Sequence, residues 1–470
     1  MTASGTRRAW LPRAGSLALT VGLWLWPVPD GLAAPAWHLF ALFAGAIVSV
    51  VVGALPILTA SMLAASLAVL TGVVRAGDAW AGFANGTILL IVVAFLVARA
   101  VVKCGLGERI WHAVVARFGR STLGLSYSLF LVDAALAPAF PSNTARSGVI
   151  YSLAASLADT AGAKRGDPSR VRLGGFLMFS GMASLSLSSG LWLTAMAANP
   201  LGTEIARGFG VEIGFGTWLL VASVPTLVAM LVLPYVLYRV ISPEVTATPH
   251  APAAARAASK ALGRLKRDEW IVAATFVAMV VLWGSAAALK VDATAVAFLG
   301  LGVFMMTGVL TADDLSREGD VLGTYIWFAL LFTMSTQLNE LGFMGFVGQR
   351  LADAMLGAPT WVGGLALVLA YVLMHYLFVS QTAHLLALFP VFLDVGAKLG
   401  VPLIPLAFLL LFATNFFSVI TPQGSSANLL FTAAGYLPPR DLYRLGALTT
   451  ALNLAVYLVV GVPWLLLVGP

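Results

Sequence analysis

Charge is what this sequence has least of. Only 10% of its 470 residues are Asp, Glu, Lys or Arg, where a soluble domain carries about a quarter. That deficit excludes a soluble protein of ordinary composition. Apolar runs of about 20 residues recur so densely that no separate soluble domain fits between them. Cysteine is nearly absent. Cys104 stands alone, which excludes a disulfide framework and a cysteine metal cluster, and it reads as a small buried apolar residue. No GxxxxGK[ST] loop occurs, so ATP is not the energy source. No HExxH or comparable ligand spacing points to a metal, and no cofactor is expected. The net charge of +7 is no sign of nucleic acid, because the basic residues sit in loops between apolar runs. That is the pattern of an orientation signal.

What the chain does have is 60% hydrophobic residues and a mean hydropathy of +0.94. Both predict an all-α polytopic membrane protein. Crossings are expected at 12–28, 37–53, 57–74, 83–103, 172–198, 216–240, 270–288, 293–310, 322–339, 404–434 and 445–468. Two further apolar pairs, 122–158 and 361–398, are each bent at a polar tip and read as re-entrant hairpins. The expectation is thus about eleven crossings and two hairpins. With a cytoplasmic N-terminus, Lys103, Arg109, Arg117, Arg120, Lys164, Arg165, Arg170, Arg172, the loop Arg256–Arg267, Arg440 and Arg444 fall inside. The outer segments hold few cations (Arg75, Arg207, Lys290, Arg350), as the positive-inside rule requires. Arg7, Arg8 and Arg13, an apolar run to Trp26 and Ala33-Ala34-Pro35-Ala36 could form a cleaved signal peptide. The run 37–53 follows at once, so a helical pair is the simpler account.

The polar tips organise the rest. Ser142-x-Thr144-Ala145 recurs as Ser380-x-Thr382-Ala383, an offset of 380 − 142 = 238. The same slide lays Leu191-x-x-Thr194-Ala195 on Leu429-x-x-Thr432-Ala433 and brings Gly86-Thr87 within one place of Gly323-Thr324. Leu106-Gly107 falls three places from Leu341-Gly342. One offset aligning several features predicts a duplication: an N-terminal extra region 1–35, a first repeat 36–241, a cytoplasmic linker 242–268 and a second repeat 269–470. Five crossings per repeat invert the second copy, so its hairpin enters from the opposite side. Inverted repeats with interrupted helices place a substrate site at the midplane. The amphipathic stretches 104–120 and 341–357 are expected along the two membrane surfaces.

Within lipid, irregular backbone persists only where protein or a watery cavity surrounds it. Ser and Thr cap helix starts, and a helix beginning after each tip offers free N–H groups and a dipole that favour an anion. Each repeat offers a second break, expected at 184–190 with Ser188 and Ser189, and at 421–428 with Thr421, Pro422, Ser425, Ser426 and Asn428. One such cluster alone reads as serines bonded to their own backbone; four in matched pairs read as a site. Arg146 and His384 occupy the same place in the two tips, and an intramembrane cation marks a functional site by default. Asp133, Asp159 and Asp394 read as lying near helix ends in water, and Arg99 and Glu340 as solvated.

At these residues the chain resembles the divalent anion/sodium symporter family, and within it the bacterial citrate/succinate antiporters and plastid 2-oxoglutarate/malate translocators. The likeness runs from Trp24 to the C-terminus and rests on Ala36–Phe40, Gly105–Arg109, Pro138–Arg146, Leu193–Pro200 and Thr382–His384. It implies that Ser142, Asn143 and Thr144 bind substrate carboxylate, and by matching position Ser380 and Thr382; Gln381 between them joins the candidate substrate-binding residues. It also implies a homodimer in a bacterial inner membrane, with a transport unit sliding past a fixed scaffold. Gln381 stands where sodium-coupled members have asparagine, and Ser188-Ser189-Gly190 lacks their Thr-Pro-Pro-Asn.

The function expected is exchange of dicarboxylates, with Arg146 and His384 supplying the positive charge that sodium supplies in symporters. The alternative on the same fold is sodium- or proton-coupled symport, in which Ser142, Asn143, Thr421 and Asn428 would build cation cages. A hydrolase using Ser380 and His384 would need a strained nucleophile and an oxyanion hole, and the matched tip at Ser142 argues against it. A passive anion channel would need no counter-substrate.

Overall fold

The computed structural model describes residues 3–160, 163, 171–354, 357 and 359–469. A helix satisfies its own backbone, which lipid demands. Among the described residues every regular element is a helix, and Ser121 and Ala247 form an isolated bridge. Seven helical stretches there are long and apolar enough to cross a membrane, and the shorter apolar stretches Ile57–Leu70, Ala293–Met306 and Leu403–Val419 accompany them. Large apolar side chains also face outward: Leu231, Val277, Leu299 and Met306 are exposed, while the polar groups Asp133, Arg146, His384 and Asn415 are buried within a largely apolar core. An apolar exterior suits a protein whose solvent is a bilayer. Lys164, Arg165 and Arg170, expected on the cytoplasmic side, lie outside the described residues.

Local chemistry sets the element boundaries. Asn85 caps Gly86–Cys104 by accepting from the Thr87 and Ile88 N–H groups at 2.9 and 3.1 Å. That helix stops at Gly105, whose φ of 80° places it in the left-handed region, where glycine costs nothing. Gly342 (φ 87°) does the same before Phe343–Ala354. The two amphipathic arms, Leu106–Phe118 and Phe343–Ala354, therefore each follow a left-handed glycine, offset by 342 − 105 = 237. The pairing of Leu106-Gly107 with Leu341-Gly342 misses this equivalence by a residue or more.

Two helix–tip–helix units stand at the centre. The first comprises Thr122–Leu136, the turn Ala137–Ala139 and Asn143–Thr160. The second comprises Thr360–Met374, the turn His375–Leu377 and Gln381–Lys398. Helices Ala34–Val51, Ile57–Leu70, Gly86–Cys104, Arg267–Gly284, Ala293–Met306 and Gly319–Glu340 pack on one another beside them. Each arm lies against its own unit: Leu106–Phe118 on Thr122–Leu136, and Phe343–Ala354 on Gln381–Lys398.

The breaks differ from expectation in one repeat. Ser184–Gly190 lies inside the continuous helix Val171–Leu191. Ser184 and Ser186 donate to carbonyls three residues back (2.9 and 2.7 Å), which keeps a serine helical. The chain breaks later, through the short turn Leu193–Ala195, before Ala198–Arg207. The second break falls as expected, between Leu403–Val419 and Asn428–Ala433.

The 242–268 segment is bound, not loose. Its helix Ala251–Ala261 packs on the first arm. Thr122 donates to Thr246 and Val245 carbonyls at 3.1 and 2.5 Å. Arg109 grips buried Glu269 through both carboxylate oxygens at 3.0 Å and donates to Gly263 O at 2.9 Å. Arg109→Ala would strand that carboxylate and lower stability by about 2–3 kcal/mol, read as an earlier thermal melt in detergent. Arg109→Lys recovers only part of it, lacking the two-pronged geometry. A melt unchanged by Arg109→Ala would show the clamp to be idle.

Candidate functional site

Each tip is a helix start with its cap in place. The Ser142 hydroxyl accepts from Ala145 N–H at 3.2 Å, and Ser380 from Ala383 N–H at 3.3 Å. Both serine carbonyls take the first helical bond, from Arg146 and His384, at 3.0 Å. The two tips meet. Asn143 donates to Gln381 Oε1 at 3.3 Å, a contact across 238 positions, the same number that relates the two motifs. A cavity of about 660 Å³ opens over them. Ser142, Asn143, Thr144, Ser380, Gln381, Thr382, Ser425 and Ser426 line it, with Met196 and Ala197 from the first break. Thr144 and Ser426 share a hydroxyl–hydroxyl bond of 2.6 Å. The lining also includes Ile57, Leu58, Phe95, Thr324, Trp327 and Phe328, with Glu318 and Asp320 at the start of Gly319–Glu340.

Arg146 is not among the lining residues. It is fully buried behind the first tip, with all five N–H groups engaged. Nε donates to Asp133 at 2.6 Å, Nη1 to Phe140 O (3.2 Å) and Ala195 O (3.0 Å), and Nη2 to Asn143 Oδ1 (2.9 Å) and Ser188 Oγ (3.0 Å). Five donors with five acceptors leave it nothing to offer a ligand. Asp133 corrects its sequence reading. It lies fully buried, bonded to Arg146 and to the Ser188 hydroxyl (2.7 Å). A buried guanidinium needs a paired anion, and Asp133 supplies it. Asp159 is exposed, as expected, whereas Asp394 pairs with Lys398 at 2.7 Å and Arg99 with Glu318 at 3.1 Å. Glu340 is exposed.

The second tip has the same geometry and different chemistry. The positions 238 later are Tyr371 (371 − 133) and His384 (384 − 146), whose rings meet edge to face at 4.3 Å. His384 also lies behind its tip, fully buried. Its Nδ1 is 3.3 Å from that of His375, whose Nε2 donates to Gly424 O at 2.8 Å. Phe417 stacks on His375 with centroids 3.8 Å apart. A charged pair in one repeat is thus a histidine–aromatic cluster in the other.

The breaks are tied by asparagines. Asn199 donates to Ser189 O and Trp192 O, ten and seven residues back, at 2.8 and 3.2 Å. Asn428 donates to Ser418 O and Thr421 O, also ten and seven back, at the same two distances. The equivalence is therefore 428 − 199 = 229, not 238. The matched threonines do not correspond: Thr194 is buried on Pro138 O, while Thr432 is a part-exposed residue bonded within its own helix. Nine fewer residues lie between tip and break in the second repeat, which shifts the register. Thr421 is buried, its hydroxyl without a protein partner; Pro422 lies beside it, part-exposed. Ser189 stays in its helix, away from the cavity.

Residues the sequence reading passed over complete the site. Asn415 donates to Asn199 Oδ1 at 2.8 Å and so joins the second broken helix to the first break. Gln381 donates onward to Thr414 O at 2.7 Å. Asn199 sat in the quoted motif, and its place before Pro200 was a usable signal. Asn415 and His375 had none, being single polar residues in apolar runs.

A family model described as the sodium:sulfate symporter transmembrane region matches residues 7–469. The chain is 37% identical to dicarboxylate transporter 2 of spinach (Spinacia oleracea) chloroplasts, over 96% of this chain and 82% of that protein. It is 30% identical to the citrate/succinate antiporter of Escherichia coli strain K12, over 94% and 95%. The YdaH transporter of Alcanivorax borkumensis has a similar fold, with a TM-score of 0.55 at 14% identity, covering 83% of this chain and 87% of that one.

Removing either partner of the Arg146–Asp133 pair leaves a buried charge, at a cost of about 3–5 kcal/mol. Arg146→Met and Asp133→Leu should each melt well below the parent, and the double variant above both singles. Additive losses would show that the two side chains are not coupled.

Proposed function

The chain belongs to the sodium:sulfate symporter family and is a multi-pass membrane transporter, not an enzyme. From that premise we propose that it exchanges dicarboxylates of the 2-oxoglutarate, malate and succinate type across a bacterial inner membrane. The observation that carries this reading is the shared cavity: two capped helix starts, one from each tip, open into it and touch through Asn143 and Gln381. Each start presents unpaired N–H groups and about half a positive charge, and each takes one carboxylate. Ser142, Thr144, Ser380, Thr382, Ser425 and Ser426 supply the hydroxyls. Arg146 acts through Asn143, whose amide oxygen it holds, and His384 braces the second tip from behind. Both are positioning residues in this scheme. Ser188 holds Asp133 and Arg146 in register, and Thr421, Pro422 and Asn428 shape the second break.

Exchange follows from charge. The space between tip and break in the first repeat, ringed by Phe140 O, Ala195 O, Asn143 Oδ1 and Ser188 Oγ, offers the oxygen ligands a hard cation would take. The arginine's own N–H groups occupy them. With no cation travelling alongside, net uptake of a dianion against 100 mV costs about 4.6 kcal/mol. One dianion for another moves no net charge. The names of the spinach and E. coli relatives agree with such substrates.

In this scheme the chain makes about eleven crossings in two inverted repeats, N-terminus in the cytoplasm, with hairpins entering from opposite faces. The tip units and broken helices move as a body past the helices beside them, and two copies pair through that fixed set. Symport with sodium or a proton is the second reading. It is favoured by the Thr421 hydroxyl and His384 Nε2, both buried without a protein partner.

Counterflow in proteoliposomes decides between them. Labelled succinate should enter only vesicles preloaded with dicarboxylate, with sodium present or absent. Uptake into empty vesicles under a sodium or proton gradient would establish symport instead. Asn143→Ala should slow exchange by at least about tenfold, and the double variant Asp133→Leu/Arg146→Met, folded but lacking the grip on Asn143, should not exchange. Activity retained in that variant would remove Arg146 from the mechanism.

A further inference from the structure

The cavity over the tips is unusual for an anion site in the charges that line it. Among the described residues its lining contains no lysine, arginine or histidine, and it contains two carboxylates, Glu318 and Asp320. Attraction comes from helix starts, about half a positive charge each: one at each tip, and a third at Gly319–Glu340, where Glu318 and Asp320 oppose it. Glu318 is matched by Arg99 at 3.1 Å. Asp320 is exposed, and among the described residues no cation pairs with it. The nearby lining is largely aromatic and aliphatic, with Phe95, Trp327 and Phe328 beside the Thr324 hydroxyl, and offers the methylenes of a short diacid a surface but an additional carboxylate few donors.

We propose that Asp320, at the start of helix Gly319–Glu340, sets the substrate's charge limit by rejecting acids that carry a third carboxylate, such as citrate. The proposal rests on the dicarboxylate reading above. Two carboxylates take the two helix starts. A third must then sit against a remaining lining that is mostly apolar and carries the negative charge of Glu318 and Asp320, so it is poorly solvated and repelled by Asp320. Rejection by a placed like charge is a recognised source of specificity. An acidic residue in a first helical turn also favours the helix dipole. That accounts for an acid there, but not for its opening onto the cavity that holds both tips.

The two roles separate in a competition assay. Uptake of labelled succinate into proteoliposomes is measured, in whichever mode drives it, against unlabelled succinate and unlabelled citrate. For Asp320→Asn, citrate should compete about tenfold better than in the parent and succinate about twofold better, shifting their ratio about fivefold. Asp320→Glu keeps the charge and should keep the parent ratio. A loss of helix stability alone would lower the melting temperature without moving that ratio. If both acids shift equally, or neither shifts, Asp320 does not select. If neither acid competes in the parent, the dicarboxylate reading fails and this inference with it. If Asp320→Asn does not fold, Asp320→Ser replaces it under the same criteria.

Discussion

A guanidinium sealed in the middle of an apolar molecule is the constraint on which the rest depends. Arg146 cannot be left with an unmet N–H there, and its five acceptors come from four parts of the chain: the first tip, the helix before it, the helix Val171–Leu191, and the break before Ala198–Arg207. Satisfying one side chain therefore holds four segments in register. Its effect reaches further, because it also sets a direction. Arg146 takes the Asn143 oxygen, so the Asn143 amide must donate, and it donates to the Gln381 oxygen. The Gln381 amide must then donate to Thr414 O. A fixed charge behind one tip thus orients the amides of both, and leaves the helix starts facing the cavity.

The two helix–tip–helix units keep the same backbone plan while dividing the chemistry between them. Where the first buries an ion pair, Asp133 with Arg146, the second buries Tyr371 beside His384, and the tyrosine hydroxyl bonds Thr414 at 2.9 Å. The ion pair adds no net charge behind the first tip, so the pull on an anion comes from the peptide dipoles of the helix starts. The pull on an anion is thus carried by peptide dipoles, set in a cavity whose lining is largely apolar.

Much of the architecture was legible because the bilayer makes sequence speak plainly. A polar tip in an apolar run must be buried, and two at one offset invite comparison. Asn143 and Gln381, one on each tip, touch. The family resemblance, read from the motifs around Pro138–Arg146 and Leu193–Pro200, agrees with the match over residues 7–469. Legibility failed where hydroxyls have two options. Ser184–Gly190 looked like a break, but serine can return its hydroxyl to the preceding turn, and only packing shows which choice is made. Asp133 was misread for another reason: its partner lies 13 residues away across a turn, a distance with no periodic signature.

By itself, then, the sequence determined that the chain lives in a membrane, that it carries two matched tips, and which residues cap the helices behind them. These follow from hydropathy and local capping, which act over one helix. Tertiary structure decided which polar groups face the cavity and which stand behind it. Arg146 and His384 look exposed to a ligand in a list of residues, yet both are turned inward, because a buried charge or imidazole goes where acceptors converge. That convergence is made by segments far apart in the chain, so no local pattern could announce it.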